Sequence, residues 1–193
     1  MNTMQQRSIN FSLSSLSGIL LGMYGLLVIY LIYILTGTYG EGFDGLSQLP
    51  IAFLEIAVLV LIVVGILISL LTLWIRAKRN AKKQSEKLWN QVSKKLRRHT
   101  LVPLLFFIII LVIIANKGYY SSITPFSLFL YGIFLLNISR FSSERLKYLA
   151  IAEIILAVIA YFIYDKEMLF LGLGFGIFHI FYGIFTMNKK KQR

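Results

Sequence analysis

Six apolar stretches divide the chain, and this pattern constrains the fold more than any other feature of the sequence. They cover residues 12–36, 49–75, 99–116, 123–139, 146–164 and 168–187. Crossing a bilayer takes about 20 mostly apolar residues. Hydrophobic residues make up 58% of the chain, whereas soluble domains contain about 45–50%. We therefore predict an all-α fold: one transmembrane domain over 1–193, built as an integral membrane bundle of six transmembrane helices.

The basic residues predict how this bundle is oriented. If the N-terminus is cytoplasmic and the six stretches cross in turn, all of the 20 basic residues except Lys117 and Lys166 lie on the cytoplasmic side. Lys and Arg near the ends of membrane helices stay in the cytoplasm, so both termini are predicted to lie there. Attraction to anionic lipid explains the net charge of +12, and no nucleic-acid partner is expected.

The cytoplasmic loop 76–98 carries ten of the basic residues. Leu88, Val92 and Leu96 recur at helical spacing, which is typical of a basic amphipathic helix at a membrane surface. We predict that 82–97 form such a helix on anionic headgroups; the alternative is an extension of the second span that contacts a soluble partner. The predicted lipid contacts are Lys82, Lys83, Lys87, Trp89, Lys94, Lys95, Arg97 and Arg98.

Glycines recur at intervals of three, four or seven in the first and last apolar stretches. Residues at helical spacing share one face, and small side chains there let another helix approach closely. Close packing is the default interpretation, and a groove or space for a ligand is the alternative. The glycines concerned are Gly18, Gly22, Gly25, Gly172, Gly176 and Gly183.

Three ionisable residues fall inside the apolar stretches, where a charge is costly and usually faces the protein interior. Glu55, the second intramembrane acid, lies about 8 Å from the outer end of its helix and can reach water. Glu153 and His179 lie about 10–12 Å from the inner ends of theirs, and Tyr131 lies at a matching depth. The sequence therefore predicts one polar cluster of Tyr131, Glu153 and His179.

Two interpretations of this cluster remain open. In the structural one, Glu153 and His179 satisfy each other and fix the register of their two helices. In the functional one, the pair carries protons or holds a cation, because histidine titrates near neutral pH. One histidine and one carboxylate make a poor metal site, since catalytic zinc normally has three protein ligands, and no metal or other cofactor is predicted.

The absence of a catalytic constellation directs the functional prediction. The chain has no cysteine, no nucleophile with an adjacent base, no catalytic carboxylate pair and no phosphate loop. We expect a non-enzymatic accessory or transporter-like membrane component with no catalytic residue. The alternatives are a proton- or cation-coupled small transporter that uses the Glu/His pair, and a lipid-modifying membrane enzyme.

The last third of the chain carries a more specific pattern. Residues 174–183 read Gly-Phe-Gly-x-x-His-x-x-Tyr-Gly, and over 130–187 the sequence resembles a family of small, uncharacterised bacterial polytopic inner-membrane proteins. The resemblance implies a multi-pass protein of the bacterial inner (plasma) membrane and no particular activity. The expected partners are membrane lipids, together with a membrane protein partner or a second copy of the chain.

Overall fold

The computed structural model describes residues 15–40, 50–83, 91–140, 145–163 and 165–188. These ranges fold into helices: α1 (Ser15–Gly40), α2 (Ile51–Lys83), α3 (Gln91–Asn116), α4 (Tyr120–Ser139), α5 (Leu146–Phe162), α6 (Glu167–Leu171), a π-helical segment (Gly172–Phe178) and α7 (His179–Asn188). The last three follow one another without a break, and we call residues 167–188 the C-terminal helix. The prediction of an all-α fold is confirmed for the described part of the chain.

Four of the helices are long and apolar enough to cross a membrane, by length and composition. The qualifying segments are Leu16–Gly37, Phe53–Arg76, Ser121–Ser139 and Glu167–Met187. The other two are shorter: the apolar part of α3 is Val102–Asn116, and α5 has 17 residues, at the lower limit of about 17–25 for a spanning helix. The fold is therefore a helical bundle with four candidate membrane spans.

The basic loop differs from its prediction. We expected a separate surface helix over 82–97, but α2 continues to Lys83 and α3 begins at Gln91. Lysine, arginine and glutamine are good helix formers, and extending an existing helix avoids the cost of nucleating a new one. Lys87 and Trp89 lie outside the described residues, while 94–98 belong to α3. Pro103, inside α3, lies at the start of the apolar part, just after this basic part.

The C-terminal helix holds the bundle together. It packs most extensively against α1 and also contacts α4 and α5, which pack closely on each other. α2 packs on α1, and α3 packs on α4. Two buried clusters line the contacts between α4, α5 and the C-terminal helix. The first contains Leu128, Leu156, Ala157, Ala160 and Phe170, and the second contains Leu135, Leu146, Leu149, Ala150 and Tyr182.

Glycines allow the backbones of α1 and the C-terminal helix to approach each other closely. A Cβ added at Gly18 would lie 3.2 Å from the Cα of Gly183, and one at Gly22 would lie 2.5 Å from the carbonyl oxygen of Gly176. A Cβ at Gly25 would collide with the backbone carbonyl of Phe175. All three predicted glycines of α1 thus lie where the two backbones approach each other.

The remaining glycines divide into close and open positions. A Cβ at Gly176 would collide with the side chain of Leu26, whereas one at Gly172 would meet only Leu26, at 3.9 Å. The sequence did not single out Gly132, where a Cβ would lie 2.6 Å from Ile154 and 3.0 Å from the carbonyl oxygen of Ala150. Gly132 therefore permits the close contact between α4 and α5.

Candidate functional site

The structure brings Tyr131, Glu153 and His179 together from three helices. Tyr131 lies in α4, Glu153 in α5 and His179 at the start of α7. Glu153 is 0% exposed and His179 is 2% exposed, while Tyr131 is half-buried. We call these three residues, with Gly174, the polar cluster. Their matched depths on consecutive helices are the feature of the sequence that located them.

His179 makes hydrogen bonds through both ring nitrogens. Its Nδ1 atom lies 3.0 Å from the carbonyl oxygen of Gly174, and its Nε2 atom lies 2.6 Å from the hydroxyl of Tyr131. A carbonyl oxygen only accepts, so Nδ1 must carry the hydrogen; in a neutral ring, Nε2 then accepts from the Tyr131 O–H. The two rings also stack, with centroids 5.5 Å apart. These contacts fix the orientation of the imidazole.

The π-helical segment supplies one of these partners. Gly174 lies within Gly172–Phe178 and stands five residues before His179. The segment has a wider turn than an α-helix, and such turns are rare and occur frequently at functional sites. A Cβ at Gly174 would lie 2.6 Å from Oε2 of Glu153 and 2.6 Å from Leu128. Glycine is therefore the residue that leaves space for the carboxyl group here.

Glu153 is the one member of the polar cluster without a hydrogen bond. Among the described residues, neither Oε1 nor Oε2 has a hydrogen-bond partner. Oε1 lies 3.9 Å from Nδ1 of His179, which is within reach of an ion pair but too long for a hydrogen bond. The structural interpretation, in which Glu153 and His179 satisfy each other, is therefore wrong in its hydrogen bonding, because His179 bonds to Tyr131 and Gly174 instead.

The surroundings of the carboxyl group are largely apolar. Besides Gly174, the side chains of Leu128 and Leu156 meet at the same point of the π-helical segment. Burial of an unbonded polar group costs free energy, and the cost is largest for a charged group. Any ligand that neutralises the Glu153 carboxylate therefore lowers the free-energy cost of its burial. A proton or a cation is the kind of ligand that a carboxylate can bind.

Glu55, the second predicted intramembrane acid, lies apart from this cluster. Glu55 is exposed on α2, which packs mainly on α1. No group of three or more His, Cys, Asp or Glu residues gathers within the described ranges. Sequence reasoning missed the role of Gly174, whose carbonyl accepts from Nδ1 of His179 within the π-helical segment.

Comparison with known proteins adds no assignment. No protein family, no curated protein and no solved structure matches the chain. The resemblance of residues 130–187 to a bacterial inner-membrane family stays a prediction.

Proposed function

We propose that this is a non-enzymatic integral membrane protein whose six helices cross the bilayer in turn, with both termini in the cytoplasm. Its 17-residue α5 is about 26 Å long, and a slightly short helix is accommodated by local thinning of a hydrocarbon core of about 30 Å. The apolar part of α3 follows a basic segment of the sequence, and Lys and Arg near the ends of membrane helices favour the interface. A bacterial inner membrane fits the distribution of basic residues.

Anionic lipid is the partner that we propose for the cytoplasmic face. Lys78, Arg79 and Lys82 are exposed on the last turns of α2, and α3 begins with a further basic stretch. Each Lys or Arg near an anionic surface contributes about 1 kcal/mol of attraction. In this arrangement the basic residues extend the two helices into the headgroup region rather than forming a separate surface helix.

For the activity, we infer a transporter-like membrane component coupled to a proton or a cation, with Glu153 as the group that takes up the ion. The observation that carries this inference is the fully buried Glu153 carboxyl group without a hydrogen-bond partner among the described residues. Ionisable residues inside membrane helices usually mark ion pathways or proton relays. A carboxyl group retained only for packing would be expected to bond to His179, which lies beside it.

Dicyclohexylcarbodiimide tests this proposal on the purified protein in detergent. The reagent takes the proton of a carboxylic acid and bonds to the carboxyl oxygen, and acyl transfer to nitrogen leaves a stable N-acylurea. We expect one adduct at Glu153, located by peptide mass spectrometry, and none at this position in Glu153→Gln. Glu55→Gln is the matched control and should leave the modification of Glu153 unchanged. An unmodified Glu153 in the folded protein at every pH would refute the proposal.

A further inference from the structure

We propose that the ion taken up at Glu153 is a proton rather than a metal cation, and that His179 passes it to Glu153 from the side of Tyr131. This inference rests on the proposed function and deepens it by naming the ligand and its route.

The oxygens around Glu153 are too few for a metal ion. Calcium takes six to eight oxygen ligands, and magnesium needs a nearly octahedral set. Here the carboxyl group and the side chains of Leu128 and Leu156 converge beside Gly174, and the nearby carbonyl of Gly174 already accepts from Nδ1 of His179. Because Nδ1 carries a hydrogen, it is not available as a ligand. A proton needs only one lone pair of the carboxylate, which this site supplies.

The imidazole of His179 stands between two acceptors. Its Nδ1–H lies 3.0 Å from the carbonyl oxygen of Gly174, and Oε1 of Glu153 lies 3.9 Å from the same nitrogen. A bond to an ionised carboxylate is about twice as strong as one to a neutral group. When Glu153 is ionised, its charge draws the Nδ1–H away from Gly174. Once Nδ1 has given its proton to Glu153, it no longer donates to Gly174. The structure shows the bond to Gly174, which is the arrangement before this transfer.

The proton transfer balances along three groups. Nδ1 of His179 gives its proton to Oε1 of Glu153, and Nε2 takes the proton of the Tyr131 hydroxyl. A hydronium ion from solvent then protonates the Tyr131 oxygen and leaves water. The imidazole is neutral before and after, but its hydrogen has moved from Nδ1 to Nε2. We assign the entry position to Tyr131 because it is the only one of the three residues that is partly exposed, whereas His179 and Glu153 are buried. Running the sequence backwards returns the proton and resets the ring.

Few other titratable groups face this path in the described residues. On the C-terminal helix, Tyr182 belongs to the buried cluster around Leu149, against which Tyr131 also packs. Glu167 lies seven residues, about 10 Å of helix, before Gly174. The face of α1 that packs on the C-terminal helix presents glycines 18, 22 and 25, and the apolar part of α3 has no ionisable residue. The pH response of the polar cluster therefore belongs to Glu153 and His179, with Tyr131 as their neighbour.

Competition with cations tests the identity of the ligand. The rate of carbodiimide modification at Glu153 is measured in the whole protein with Na⁺, K⁺, Li⁺, Mg²⁺ or Ca²⁺, each against choline chloride at equal ionic strength. We expect each cation to change the rate less than twofold and a rise in pH to abolish modification. Protection of tenfold or more by one cation would overturn this inference while leaving the proposed function intact. Absence of any modification would instead overturn the proposed function.

Nitrogen NMR of ¹⁵N-histidine tests the relay. His99, the other of the two histidines, is removed by His99→Gln in every sample. In the parent protein, we expect the ring hydrogen of His179 to shift from Nδ1 towards Nε2 as the pH falls and Glu153 is protonated. We expect Glu153→Gln to abolish this shift. Tyr131→Phe should change the Nε2 signal and slow the exchange without removing the carbodiimide reaction. A shift that persists in Glu153→Gln would overturn the relay, because His179 would then titrate independently.

Discussion

Nδ1 of His179 lies 3.0 Å from the carbonyl oxygen of Gly174, five residues earlier in the same helix. His179 thus satisfies this nitrogen within its own helix, although the buried carboxyl of Glu153 is only 3.9 Å away. Two arrangements of the polar cluster therefore differ in one hydrogen bond, which Nδ1–H makes either to the Gly174 carbonyl or to the Glu153 carboxylate. The π-helical segment places both acceptors within reach of the same imidazole nitrogen.

The two buried ionisable residues should differ in their contribution to stability. Glu153→Leu removes an unbonded polar group and keeps a similar volume, so we expect the free energy of unfolding to stay the same or rise. His179→Leu leaves the Tyr131 hydroxyl and the Gly174 carbonyl without their partner, which should cost about 1–3 kcal/mol for each group left unsatisfied. Thermal unfolding in detergent, followed by circular dichroism, measures both. Equal destabilisation by the two substitutions would contradict this assignment.

Two glycines of the π-helical segment form a matched pair. Gly174→Ala places a Cβ 2.6 Å from Oε2 of Glu153 and 2.6 Å from Leu128, whereas Gly172→Ala meets only Leu26, at 3.9 Å. Overpacking of this kind typically costs about 1–3 kcal/mol. We expect Gly174→Ala to lower thermal stability and alter carbodiimide modification of Glu153, and Gly172→Ala to change neither. If both alanine variants behave like the parent protein, the carboxyl group does not lie against Gly174.

Much of the fold follows from periodicity in the sequence, because an apolar stretch in a membrane has few alternatives to a helix. The depths of Glu153 and His179 follow from counting residues along such helices. The choice of partner for Nδ1 does not, since it depends on a difference of less than 1 Å between two acceptors. The extension of α2 beyond its apolar part was only the alternative prediction and that of α3 was not predicted, because the pattern of basic and apolar residues at 76–98 also fits a surface helix.

The contact between α1 and the C-terminal helix should be sensitive to one methyl group at Gly22. A Cβ there would lie 2.5 Å from the carbonyl oxygen of Gly176 and 2.9 Å from the backbone nitrogen of Ile180, so Gly22→Ala must push two backbones apart. Gly37, in the same helix, has nothing within 4 Å of its Cβ position. We expect Gly22→Ala to lower the unfolding temperature and Gly37→Ala to leave it unchanged. The opposite order would place the packing seam on another face of α1.

Single cysteines decide between four and six membrane crossings, and the natural chain offers no background because it has no cysteine. With six crossings, a membrane-impermeant maleimide should label Gly45→Cys and Lys117→Cys from outside the cell. It should label Ser85→Cys and Lys147→Cys only after the membrane is opened. The asymmetry of basic residues is the physical reason for this orientation. If α3 and α5 do not cross, the positions 117 and 147 exchange sides while 45 and 85 keep theirs, so these two positions test the shorter helices directly.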